Sequence, residues 1–379
     1  MATRERADLR RVVLLIGELE LGGTEKQLFL LASGLRDRGI EVSVLLLTGG
    51  GPYEGELRDA GIEVRRLGFA RGHFSPGVLW RNLWAFARLV RLLHHLRPDV
   101  LHAFLFRSYI VGPPAARLAG VPVVVAGRRS QSDYKSGRRW IFAVERAMTR
   151  ITDHVVANAW AVRDDAHTVE RVPARKLTVI YNGLPTHYFD HVEPEDVDTT
   201  LPVILCVANL KRQKGHSFLI DAAAELSRRG RPATLVLIGD GPERPRLEAQ
   251  AKALHVDARF VGRITAPERF LARADVVVLP SLSEGLSNAV MEAMAMGRPV
   301  VATAVGGTPE LLDGRGVLVP ASNPTALADG IARVLNDPDL AASLGAEARG
   351  WALKNLDVAC MVEEHTDLYR RLMEDRCAG

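Results

Sequence analysis

The chain has 379 residues, of which 47% are hydrophobic and 25% charged, and a formal net charge of +4. This composition excludes a disordered, collagenous or disulfide-scaffold protein, and the length suits two domains of about 180 residues rather than one core. The three cysteines, Cys206, Cys360 and Cys377, lack disulfide or metal-ligand spacing, which points to a reducing cytoplasm.

Behind the basic N-terminus, the apolar run from Val12 to Ile16 is too short for a signal segment, and no later run reaches the roughly 18 residues of a membrane span. Strand candidates fall at 11–17, 41–47, 62–67, 99–104, 121–126, 154–158 and 177–181. They resume at 202–208, 233–239, 258–261, 275–280, 299–303 and 316–319. Strands that alternate with helical patterns predict parallel sheets with right-handed crossovers, hence an α/β chain of two Rossmann-like domains. The polar, acidic stretch THYFDHVEPEDVDTT interrupts the pattern. The expected division is therefore an N-terminal domain over 1–185, a linker over 186–201 and a C-terminal domain over 202–356, followed by an amphipathic helix at about 357–379.

Charge is distributed unevenly, with a net positive first half and a net negative second half. The basic half is a candidate for an anionic partner. No nucleic-acid module is visible, which favours a lipid surface or a phosphorylated acceptor. The helical pattern at 78–96 sets Trp80, Trp84, Val90 and Leu93 on one stripe and Arg81, Arg88 and His95 on another. Such a helix either packs on its own sheet or lies in a membrane interface, and Lys135, Arg138, Arg139 and Trp140 form a second basic stretch.

Among candidate functional residues, Gly22 and Gly23 follow the first strand. They permit close backbone approach to a ligand at a helix start that favours anions, and Thr24 with Gln27 reads as a capping box. His102 ends the fourth strand pattern. Arg128 follows VPVVVAG; it can donate to phosphate or to an anionic sugar but cannot act as a base. In the second half, NLKRQKG (209–215) places Lys211, Arg212 and Lys214 at a strand's carboxyl end, where cations stabilise a departing diphosphate without a metal. The turn Gly239-Asp240-Gly241-Pro242 reads as structural.

The segment 281–312, SLSEGLSNAVMEAMAMGRPVVATAVGGTPELL, is the most informative. DVVVLP before it reads as a buried parallel strand. Ser287 or Asn288 caps a helix running to Met296, and Gly297 and Pro299 stop it before the strand VVAT. Glu284 and Gly285 fall in the loop after a strand, where open α/β sheets bind ligands. Backbone amides of Gly285, Leu286, Ser287 and Asn288 suit a diphosphate at a helix N-terminus. Glu292 lies about 6 Å of helix rise further on, which spaces the two carboxylates for sugar hydroxyls and a ribose.

This string resembles the C-terminal signature of the family 4 glycosyltransferases, retaining enzymes of the GT-B fold, through Glu284, Glu292, Gly297, Pro299, Gly306, Gly307 and Glu310. The resemblance implies two Rossmann-like domains with parallel sheets facing across a cleft and a C-terminal helix that crosses back to the N-terminal domain. It also assigns Glu284 to the donor sugar, Glu292 to the ribose, Lys214 with Gly215 to the diphosphate, and the Gly22–Gly23 loop to the donor phosphates. Asn182-Gly183 resembles the family's domain hinge. Two positions depart from the pattern. Asn209 stands where the family carries an arginine, so Arg212, or else Lys211, is expected to take over. Gly127, Arg128 and Arg129 stand where the family frequently carries an active-site histidine, whereas His102 matches a strand-end histidine common in the family, which is either a core histidine or an acceptor contact.

The expected function is that of a retaining hexosyltransferase moving a sugar from a nucleotide diphosphate sugar to a glycan, lipid-linked or small-molecule acceptor. Glu284, Lys214 and Arg212 would act at the reacting groups, and front-face displacement is the expected chemistry. The nucleotide sugar is a substrate, and neither a resident cofactor nor a metal is expected. The rivals are a GT-B nucleotide-sugar epimerase, which the glutamate spacing argues against, and a non-catalytic scaffold that binds a membrane or partner. The expected location is cytoplasmic, with peripheral contact at the inner face of an anionic membrane and no nucleic-acid partner.

Overall fold

The computed structural model describes residues 8–72, 75–132, 139–264 and 266–378. The chain forms two compact units, Met1–Gly183 with Val358–Gly379 and Leu184–Asp357.

Unit 1 holds a seven-stranded sheet of β1 (Arg11–Ile16), β2 (Glu41–Leu46), β3 (Glu63–Arg66), β4 (Val100–Phe104), β5 (Val123–Arg128), β6 (His154–Ala157) and β7 (Leu177–Val179). The strand order is β3-β2-β1-β4-β5-β6-β7 and every pairing is parallel. β1 shows why. Its residues after Arg11 are all buried, as in a strand covered on both faces. Leu14 and Ile16 pack on one side with Leu28, Leu31 and Leu35, and Val13 and Leu15 pack on the other with Leu89 and Leu93. The order reverses between β1 and β4, so the carboxyl ends of these strands flank a topological switch point.

The helix Val358–Ala378 belongs to unit 1, where Met361, Val362, Leu368 and Tyr369 join the core beside β1. Contact with the helix Gly23–Asp37 is close enough that a Cβ on Gly34 would sit 2.4 Å from a Val362 methyl.

Unit 2 holds β8 (Val203–Val207), β9 (Thr234–Ile238), β10 (Ala258–Gly262), β11 (Val276–Leu279), β12 (Val300–Thr303) and β13 (Val317–Val319), in the order β10-β9-β8-β11-β12-β13. All its pairings are parallel, and its switch point lies between β8 and β11. Every strand in both units falls within two residues of its expected position.

Three local expectations change. Gly22 is the N-cap of the helix Gly23–Asp37, without a side-chain cap bond, so Thr24 and Gln27 form no capping box. The Gln27 amide is buried and instead satisfies both backbone groups of Gly183, at 2.9 and 2.8 Å, because a buried peptide needs partners. The polar stretch 186–201 lies within unit 2 rather than standing free. Tyr188 and Phe189 bury there in a short 3-10 helix, Thr186–Phe189. In the helix Pro76–Leu96 the packed stripe is Ala85, Leu89 and Leu93, whereas Trp80 and Trp84 are each 66% exposed.

Four buried histidines make this fold acid-sensitive. Burial holds His154 and His216 down to about 4, His365 to about 3, and His102 well below its usual value. A histidine at about 6.5 in the unfolded chain binds a proton that the folded chain refuses. Stability is therefore complete above pH 6.5 and falls as pH drops toward the folded values. Each such group removes up to about 2 kcal/mol at pH 5 relative to neutrality. The urea midpoint should fall between pH 7.5 and 5; an unchanged midpoint would contradict the burial of these rings.

Candidate active site

In unit 2 the loops that follow β8 and β11 meet at the switch point. The first carries a 3-10 turn, Arg212–Lys214, and ends at Gly215 with φ +69. A side chain there would strike the Pro280 carbonyl oxygen at 2.0 Å, so only glycine lets this loop lie against the end of β11. Leu282 N–H donates to the Gln213 carbonyl at 2.8 Å and completes the seam.

This seam brings Lys214 and Glu284 together. Lys214 Nζ lies 2.5 Å from Glu284 Oε1, with the two side chains only 21% and 8% exposed. Ser281 Oγ donates to the same carboxylate oxygen at 2.6 Å, and Thr303 on β12 donates to the Ser281 carbonyl at 2.5 Å. The charged pair therefore has a hydrogen-bonded support, as a partly desolvated ion pair requires. The second glycine pair supplies the backing. A Cβ on Gly306 would sit 2.1 Å from the Glu284 carbonyl oxygen, and Gly307 N–H donates to Gly285 at 2.7 Å.

Gly285, Leu286 and Ser287 are buried and lead into the helix Asn288–Ala295, whose N-cap Ser287 accepts from Val290 N–H. These backbone groups and Lys214 thus lie around one strand-end junction. Arg212 and Lys211 are exposed, and neither pairs with a carboxylate among the described residues. Asn209 is partly buried at the end of β8. Its loop is pressed from below by Gly239 and Gly241, where a Cβ would lie 2.1 Å from the Ala208 oxygen and 2.4 Å from the Leu210 oxygen. Close packing accounts for that Gly-Asp-Gly turn.

Glu292 is buried, and the Tyr188 phenol lies near its carboxylate and that of Glu268. Burial, then the charges of Glu292 and Glu268, push the Tyr188 phenol up. Tyr188 escaped the sequence reading because it stands in an acidic, unpatterned stretch. Its only signal was an aromatic pair, Tyr188-Phe189, in an otherwise polar run. Ser281 and Thr303 escaped as well, since a lone hydroxyl at a strand end carries no pattern.

In unit 1, Gly22 and Gly23 lie at the carboxyl-end side of β1, next to that sheet's switch point, and Gly22 leaves room for the Glu25 carboxylate. The two further candidates on this side are buried. His102 is fully buried in β4; its Nδ1 lies 2.7 Å from Tyr369 Oη and its ring stacks on Phe104. Arg128 is buried too. Its Nε donates to Glu170 at 2.8 Å, and its guanidinium sits 4.1 Å over the Tyr109 ring with Glu145 at 3.9 Å. Both side chains are buried and have partners within unit 1. Of the basic stretch near Trp140, Lys135 and Arg138 lie outside the described residues, as does the side chain of Arg139.

Comparison with known proteins agrees with the architecture. Residues 21–188 match the profile described as Glycosyltransferase Family 4, and residues 201–337 match that of Glycosyl transferases group 1. The alpha-D-kanosaminyltransferase of Streptomyces kanamyceticus is 29% identical over 335 residues, covering 79% of this chain and 83% of that protein. A GDP-mannose-dependent alpha-(1-6)-phosphatidylinositol monomannoside mannosyltransferase of Mycolicibacterium smegmatis is 36% identical over 167 residues, 41% of this chain and 44% of that protein. The crystal structure of Anabaena HepE in complex with UDP-glucose superposes with a TM-score of 0.82 at 23% identity, covering 94% of this chain and 98% of that one. With two Rossmann-like units of the GT-B fold and matches along most of its length, the chain belongs to the family 4 glycosyltransferases.

Proposed function

We propose that the enzyme transfers a hexosyl group from a nucleotide diphosphate sugar to an acceptor with retention at the anomeric carbon, using unit 2 for the donor and unit 1 for the acceptor. The Lys214–Glu284 pair at the β8/β11 junction carries this reading. A diphosphate sugar offers both members a ligand: phosphate oxygens for the ammonium, hydroxyls for the carboxylate. Relatives whose names or structures include GDP-mannose and UDP-glucose support a nucleotide-sugar donor.

In the proposed reaction the bond from the anomeric carbon to the diphosphate oxygen breaks. The acceptor oxygen bonds to that carbon from the same face, and its proton passes to the departing phosphate. Lys214, Arg212 and the backbone N–H groups of 285–288 stabilise the charge that grows on the phosphate. Glu284 orients the sugar, and Glu292, beside Tyr188, takes the ribose. The loop at Asn209 completes the donor contacts within unit 2.

The test is nucleoside diphosphate release from UDP-, GDP- and ADP-sugars in EDTA, with and without a lipid extract, followed by NMR of the product's anomeric configuration. One donor should support release, with retention. Binding of no nucleotide sugar at all would overturn the reading.

A lipid-linked acceptor is favoured by one surface feature. Among the described residues no helix is long and apolar enough to cross a membrane. The start of the helix Pro76–Leu96 nevertheless exposes Leu79, Trp80, Leu83 and Trp84 beside exposed Arg81, Arg88 and Arg91, a combination suited to an anionic interface. Vesicles containing phosphatidylglycerol should retain the protein at low salt and release it at high salt, and Trp80→Ser with Trp84→Ser should weaken retention. Equal retention on neutral vesicles would remove this contact from the reading.

A further inference from the structure

The strand β5 ends in two consecutive arginines with opposite surroundings. Arg128 turns into the core and meets Glu170 and Glu145. Arg129 has no carboxylate within ion-pair distance among the described residues. Its Nη1 donates to the neutral Asn182 Oδ1, its guanidinium lies 5.3 Å over the Phe104 ring, and its buried Nε has no hydrogen-bond partner. Burial pulls Arg129 down to about 10, and only the Tyr369 phenol opposes this, so the group remains charged at neutral pH.

Among the described residues, the groups packed beside it supply no counter-charge. His102 stacks on the same Phe104 ring, 5.7 Å from His365 between ring centres, and burial keeps both imidazoles neutral at physiological pH. Each has an Nε2 without a partner. A guanidinium, two imidazoles and three unpartnered nitrogens thus share one region in which, among the described residues, no carboxylate pairs with Arg129. Leaving a desolvated cation without an opposite charge is costly, and one residue earlier the same chain avoids that cost with Glu170.

Position adds a second argument. Arg129 follows β5 directly, at the same sheet end as Gly22 and Gly23, where open α/β sheets bind ligands. Beside it, Leu105 begins the helix after β4 in the left-handed region with φ +66, the kind of backbone strain that clusters at ligand sites.

We propose that Arg129 is the receptor for an oxyanion, carboxylate or phosphate, carried by a substrate of this enzyme, and that it restricts the acceptor to anionic molecules. This rests on the transferase reading and names its acceptor chemistry. A planar guanidinium binds such a group through its N–H donors.

The test is a titration of the full-length protein with inorganic phosphate at constant ionic strength, alone and with UDP, GDP or ADP at saturation. It is followed by calorimetry and by the Arg129 side-chain N–H resonance, assigned as the signal absent from Arg129→Lys. The wild type should bind phosphate and shift that resonance. Arg129→Gln, which retains a donor for Asn182, should bind about tenfold or more weakly, and Arg129→Lys should fall between. Binding that persists beside the nucleotide identifies an acceptor oxyanion. Binding that the nucleotide expels in the wild type shows a donor phosphate at Arg129, which supports the receptor but overturns the acceptor restriction. A resonance that ignores phosphate in the folded wild type overturns the proposal, as does undiminished binding by a folded Arg129→Gln. No arm requires turnover, so failure here is distinct from failure of the donor-release assay.

Discussion

Replacing Glu284 with alanine should lower kcat for sugar transfer by the equivalent of about 2–4 kcal/mol, the usual effect of removing one preorganised electrostatic group. Lys214→Ala should cost a similar amount. Because the two side chains share a 2.5 Å contact, the double variant should lose less than the sum of the single losses. The physical basis is placement. Gly215 and Gly306 let three backbone segments approach within distances that a side chain would block, and Ser281 fixes the carboxylate. Steady-state transfer kinetics, with thermal unfolding to verify the fold, would measure the effect. Near-normal turnover in both single variants would remove the pair from the chemistry.

Arg128→Met should destabilise unit 1 by about 3–5 kcal/mol, the range for deleting one partner of a buried ion pair. Glu170, itself buried, would be left with an uncompensated charge. Adding Glu170→Leu to that variant should recover much of the loss, since an apolar pair avoids both desolvation penalties. Urea unfolding of the single and double variants measures both changes. A stable Arg128→Met with weakened acceptor affinity would instead restore Arg128 to the binding surface. The contrast with Arg129 is sharp: the first arginine should control stability, the second anion affinity.

The inner strands were legible because they are short apolar runs between turn signals, and burial on both faces leaves little choice of side chain in a parallel sheet, whereas the edge strands β3 and β10 are more polar and less buried. The Lys214 loop and the Glu284 segment were legible for a related reason. Their glycines stand where backbone approaches backbone, and such positions leave a residue-type record in the chain. Tyr188, Ser281 and Thr303 left none. Each acts on a residue remote in sequence or through a single hydroxyl, and a solvated side chain of the same type would read identically. The tryptophans of the helix Pro76–Leu96 left two readings open, because an apolar stripe marks a face without saying which part of it the sheet covers.

The sequence by itself thus determined the two-unit α/β architecture, the strand positions and the segment that carries Glu284, since periodicity and glycine placement are local properties. Only the tertiary structure decided which charges are paired. Whether Arg128 or Arg129 lacks a carboxylate depends on Glu170, more than forty residues away and brought there by β-strand packing, and two adjacent guanidiniums look alike until the fold supplies a counter-charge to one of them.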